Sequence, residues 1–156
     1  MPRSMLYLDI QGKAPRRRCN EVVKWFKAKY MPLHHLDITI THRGMKKEHA
    51  MGLCTVIDCD HRPREFLIEM ETTLCKEDYI STLLHELWHV WQHVNGSLRD
   101  KRGIRHWKNI DADHLSYEDQ PWEHEAKMME NILYNDFMSV NDDPIIFYNR
   151  LTKPSI

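Results

Sequence analysis

His85, Glu86 and His89 stand in the string His85-Glu86-Leu87-Trp88-His89, an H-E-x-x-H sequence inside the apolar run from Ile80 to Trp91. On an α-helix, residues four apart sit one turn above each other on the same face. His85 and His89 can therefore aim their imidazoles at one metal ion. Glu86 is one residue on, about 100° around the helix, so it flanks such an ion instead of binding it. A zinc-bound water beside a carboxylate is the working pair of a metallohydrolase: the metal acidifies the water and the glutamate takes its proton.

The context supports a buried metal helix over a plain core helix. Leu83, Leu84, Leu87, Trp88, Val90 and Trp91 are all uncharged, which places the helix deep in the domain. Two histidines and a glutamate are costly to desolvate there unless they are paired or metal-bound. The pattern predicts a helix from about Lys76 to Asn95, with Gly96 as its C-cap. Catalytic zinc takes three protein ligands and keeps one position open, so a third ligand must come from another element. His93 continues the four-residue series, but two turns on it lies about 12 Å along the axis from His85. It belongs behind a ligand or at the surface. Asn95, six after His89, stands where the metzincin pattern has its third histidine.

The third ligand is expected downstream, in the stretch from Tyr117 to Ala126. Asp119 or Gln120 can cap a helix there, and Pro121 suits its first turn. Trp122, Ala126, Met129, Ile132, Leu133 and Phe137 recur at helical spacing. Glu125 precedes Ala126 and lies near that apolar face, where a carboxylate needs a partner. Glu123 competes with it, although a first-turn acid is also favoured simply by the helix dipole. His124 points away from both glutamates.

A helix carrying H-E-x-x-H, followed by a second helix supplying a glutamate, resembles the gluzincin branch of the zincin metallopeptidases. The form Tyr117-x-x-x-Pro121-Trp122-Glu123-x-Glu125-Ala126 resembles small, often phage-encoded, zinc metallopeptidases. The run Met51-Gly52-Leu53-Cys54-Thr55-Val56, then Leu83-Leu84-His85-Glu86-Leu87-Trp88-His89, is similar to SprT-like proteases, but the later paired-cysteine zinc ribbon is missing and the third ligand reads as glutamate, not histidine. The resemblance spans about residues 36–135. It implies an α+β, zincin-like minimal domain: an N-terminal helix, a small three-stranded or larger mixed sheet, the metal helix and a second ligand-bearing helix. It implies a zinc-dependent peptidase in which His85, His89 and Glu125 hold Zn²⁺ and Glu86 is general base, then general acid. It also implies that Phe66 to Glu71, as the edge strand before the metal helix, binds substrate backbone by strand addition.

The positioning elements are legible upstream. Val22, Val23, Phe26 and Tyr30 share one face of a predicted helix from Cys19 to Tyr30, and Pro32 follows. Residues 36–41 and 64–71 alternate in period two, and 53–59 form a third β-rich run. Arg16, Arg17 and Arg18 read as a solvated helix start. Between Leu98 and Tyr117 the spacing predicts a long loop covering the cleft, rich in basic residues. Within it, His106 or Tyr117 is expected to stabilise an oxyanion.

Composition bounds the rest. The chain has 156 residues with 42% apolar and 29% charged content, ordinary for one globular domain. The core is expected over about 18–140, with a C-terminal tail over 141–156. A net charge of −1 provides no field that steers the chain to nucleic acid or a membrane. Cys19, Cys54, Cys59 and Cys75 form no C-x-x-C pair, and no leader or membrane span is visible, which favours reduced thiols in the cytoplasm. The expected partner is a peptide or protein substrate. Two rivals remain: a zinc-binding regulatory module without turnover, and a SprT-like protease acting on DNA-associated proteins.

Overall fold

The computed structural model describes residues 5–59 and 61–141. The expected tail lies almost wholly outside these residues. The class is α+β, as expected, with more β-structure than the sequence reading placed.

The chain begins with a strand, β1 (Leu6–Gln11), and then the helix α1 (Arg16–Tyr30). β1 was missed, although Leu6, Leu8 and Ile10 alternate with exposed partners and turn toward the core. Helix α1 buries Cys19, Val22, Val23 and Phe26, a stripe at 3-4 spacing. Next come β2 (Leu36–Arg43), β3 (Gly52–Val56) and β4 (Glu65–Glu71). The four strands form one sheet in the order β1-β2-β4-β3. β1, β2 and β4 run parallel, and β3 is antiparallel to β4. The edge next to the metal-helix candidate is therefore β3. The strand holding Phe66 to Glu71 is interior, paired on both sides, and has no free edge for a substrate. This corrects the expectation, and sequence order alone cannot show it, because β3 folds back across β4.

Helix α2 (Lys76–Asn95) ends at Gly96, which adopts the left-handed φ of 85° expected of a C-cap. Leu83, Leu84, Leu87 and Val90 are wholly buried against Ile38, Ile40, Phe66, Ile68 and Met70 of the sheet. Each such side chain contributes about 1.5–3 kcal/mol of transfer free energy. This anchors α2 rigidly along the sheet.

The stretch after α2 is not the long loop expected. It folds as a small antiparallel meander, β5 (Leu98–Lys101), β6 (Ile104–Trp107) and β7 (Ile110–Asp111). Gly103 sits at a φ of 79° in the first turn, and Lys108 and Asn109 take left-handed conformations in the second. Leu98 and Ala112 form a second, smaller core with Trp122, joined by Trp107 and Leu115. That core fastens the meander to the last helix, α3 (Pro121–Asn141), which lies alongside α2 and seals the main core with Ala126, Leu133 and Phe137. No helix among the described residues is long and apolar enough to cross a membrane.

His93 is part of this framework and not at the surface. It is buried beside Phe66, with the ring centroids 6.1 Å apart. Burial, with the nearby Arg105 charge, pushes its pKa down to about 4 against an ordinary 6.5, outweighing the pull of Asp100 and the Leu98 carbonyl. The unfolded chain therefore binds this proton first on acidification, so His93 supports the fold above pH 6.5 and withdraws that support as the pH falls toward about 4. Its share of the acid destabilisation is expected to reach roughly 3 kcal/mol. Urea midpoints of metal-stripped wild type and His93→Gln, compared at pH 7.5 and 4.5, should converge if this holds. An equal acid loss in both would assign the effect elsewhere.

Candidate metal centre

Helices α2 and α3 bring three donors to one point. Nε2 of His85 and Nε2 of His89 lie 3.2 Å apart. Oε2 of Glu123 is 3.1 Å from the first and Oε1 of Glu123 is 3.1 Å from the second. The three residues form a group able to hold a metal ion, with donor atoms all within 4.8 Å of one another. Ligands placed about 2.0–2.1 Å from a tetrahedral zinc stand roughly 3.3 Å apart. The closest approaches, taken to the two oxygens of Glu123, come near that spacing, and one donor atom per residue keeps the group within 4.8 Å.

The donor chemistry points the same way. Nδ1 of His85 is 2.6 Å from Oε1 of Glu130, the carboxylate–histidine arrangement that orients a metal-binding ring. With Nδ1–H donated to Glu130, the lone pair on Nε2 faces the Glu123 carboxylate and the second imidazole. Acceptors so close require a cation between them. A proton on His85 can fill that role. Burial opposes charge on His85, but the hydrogen bonds to Glu123 and Glu130 outweigh it and raise its pKa. Burial of Glu123 is likewise outweighed by the two histidines, which hold its carboxyl well below the usual range. A metal ion entering here displaces that proton, so uptake weakens in acid.

Glu125, the expected third ligand, does not reach the histidines. Its Oε1 accepts Trp88 Nε1–H at 2.9 Å and Gln92 Nε2–H at 3.1 Å. The reason is the phase of α3. Glu123, Ala126, Glu130, Leu133 and Phe137 follow one another at 3-4-3-4 spacing and make one stripe toward α2. Glu123 belongs to that stripe, while Glu125 is turned toward the later part of α2. Glu130 was missed entirely. Its seven-residue offset from Glu123 was the available signal, since two whole turns return a residue to the same face.

Glu86 lies buried on the flank of the histidine pair, against β3. A Cβ added at Gly52 would stand 2.9 Å from Cγ2 of Thr82, 3.0 Å from Cγ of Glu86 and 3.1 Å from its Oε1. Glycine at 52 therefore lets the edge strand close over the helix at the level of the carboxylate. Burial pushes the Glu86 carboxyl up to about 6, with His89 and His85 pulling it back and Glu123 and Glu130 adding to the rise. Gly52→Ala is expected to overpack this contact and cost about 1–3 kcal/mol. A urea denaturation curve unchanged from wild type would show that the strand yields freely.

Tyr117 and His106 part company. Tyr117 stands in a 3-10 turn before α3 and its hydroxyl donates to Oε2 of Glu123 at 3.4 Å, placing it at the rim of the centre. Burial and the Glu123 carboxylate raise its pKa, so the phenol keeps its proton. His106 is not brought to the site. On β6 it alternates with Arg105 and Trp107, which turn inward to Trp122, while the His106 ring approaches the Ile104 carbonyl oxygen at 2.9 Å. The oxyanion role expected of His106 has no geometric basis. His124 is exposed, as the helix phase required.

No family model matches the chain, and no match to it is found among curated proteins or solved structures. What this geometry defines is an α+β protein with a two-histidine, one-glutamate group, between two helices, that could hold a metal ion.

Proposed function

We propose that this protein is a zinc-dependent peptidase with a zincin-like active site. The observation that carries the proposal is the convergence of His85, His89 and Glu123 at ligand spacing, with the Glu86 carboxylate buried beside them and raised to about 6. Zn²⁺ held by His85, His89 and Glu123 would supply a Lewis acid that polarises a peptide carbonyl and lowers the pKa of water. Glu86, ionised at neutral pH, accepts a proton from the attacking water and passes it to the departing amine nitrogen. Tyr117, with its hydroxyl at the rim and its proton retained, donates to the oxygen on which negative charge develops. The substrate is an extended peptide that adds to the free edge of β3, with Gly52 bringing that edge close to Glu86. This moves the strand-addition role from Phe66–Glu71 to Gly52–Val56.

Incubation of the zinc-loaded protein with a peptide library, with new termini read by mass spectrometry, tests the proposal. Cleavage is expected, abolished by a chelator and restored by Zn²⁺. Stoichiometric zinc with no cleavage of any library member would favour a binding module without turnover.

A further inference from the structure

Gln92 is wholly buried between α2 and α3, three residues after His89. Both protons of its amide are engaged: Nε2 donates to the carbonyl oxygen of Trp122 at 3.0 Å and to Oε1 of Glu125 at 3.1 Å. Neither partner donates in return, because Trp122 offers a carbonyl oxygen and Glu125 Oε1 already accepts Trp88 Nε1–H, so the amide has one orientation. Its oxygen then faces Nδ1 of His89, 2.8 Å away. An amide oxygen there only accepts, so Nδ1 must carry the proton. The lone pair of His89 is left on Nε2, the atom that meets His85 and Glu123. Trp88 Nε1–H, donating to the same Glu125 oxygen at 2.9 Å, holds the carboxylate in place.

We propose that Glu125 is a positioning residue for the metal centre, acting through Gln92 to fix the ring orientation and tautomer of His89. The inference deepens the metal-site reading and rests on it. It explains why a second carboxylate sits so near the ligand set without joining it. It also explains the asymmetry between the two histidines. His85 is oriented directly by the Glu130 carboxylate, whereas His89 is oriented by a neutral amide that is itself locked from α3. Helix α3 therefore contributes to both imidazoles as well as supplying Glu123, and the α2–α3 contact sets the geometry of the centre.

Long-range ¹H–¹⁵N spectra of the histidine rings, recorded on metal-free protein at a pH where His89 carries one ring proton, read the tautomer directly. Zinc affinity is measured separately by competition with a chromogenic chelator. In wild type His89 is expected wholly in the Nδ1–H form. Glu125→Leu removes the acceptor that locks Gln92; it should let His89 populate the Nε2–H form and weaken zinc binding about 10–100-fold. Glu125→Gln keeps a side-chain oxygen for Gln92 and Trp88 and should restore both properties. If Glu125→Leu folds, by circular dichroism, yet leaves tautomer and affinity unchanged, the relay is overturned. Should that variant fail to fold, Gln92→Leu removes the acceptor at His89 itself and must release the tautomer in the same way; an unchanged ring there also overturns it. A wild type that binds no zinc would defeat the metal reading alone, because the tautomer of the metal-free protein still decides the relay.

Discussion

Glu86→Gln is expected to lower kcat for peptide cleavage by about 10²–10⁴-fold, the usual contribution of a positioned acid–base group, while zinc stays bound. The substitution keeps the shape of a side chain that is buried against Gly52 and Thr82 and removes only its capacity to take a proton. Burial has raised the carboxyl to about 6, near neutrality, which suits it to the proton exchange that the proposed reaction requires. Gln lacks that exchange at any pH. Steady-state kinetics on a cleaved peptide, with zinc content measured on the same preparation, check the result. Full activity in a zinc-loaded Glu86→Gln protein would remove Glu86 from the mechanism.

The second large effect concerns the ligand set. Glu123→Ala is expected to weaken zinc affinity by more than the 10–100-fold typical of a partner lying behind a ligand, and to do so more severely than Glu125→Leu. The geometry requires this order. Glu123 places Oε2 3.1 Å from Nε2 of His85 and Oε1 3.1 Å from Nε2 of His89, whereas Glu125 touches Trp88 and Gln92. Chelator competition at one fixed pH gives the comparison, and the pH must be fixed because His85 gives up a proton on metal uptake. The reverse order would return the third ligand to Glu125, as the sequence reading had it.

Local spacing is enough to read His85 and His89 as a pair. Two histidines one turn apart on a helix share a face whatever surrounds them, and Glu86 must flank them for the same reason. The extent of α2 and its cap at Gly96 follow from local rules as well, since an apolar run ending in glycine has few other solutions. The later strands and α1 are marked by their period, and the alternation of Leu6, Leu8 and Ile10 marks β1 in the same way.

What local pattern could not decide was which elements are neighbours and in what phase. Glu123 and Glu125 are two residues apart on one helix, about 200° around its axis, so only the rotation at which α3 docks on α2 selects between them. Burial of Ala126, Leu133 and Phe137 sets that rotation, and it carries Glu123 and Glu130 to His85 while leaving Glu125 to Gln92. Strand order is likewise a tertiary property: β3 becomes the edge by folding back antiparallel on β4, which leaves Phe66–Glu71 without the free edge that strand addition needs. His106 was misplaced for a related reason. Its residue type suits an oxyanion donor, but cross-strand pairing of the meander turns Arg105 and Trp107 inward and His106 away. Local spacing pairs His85 with His89; the packing of two helices decides which carboxylate joins them.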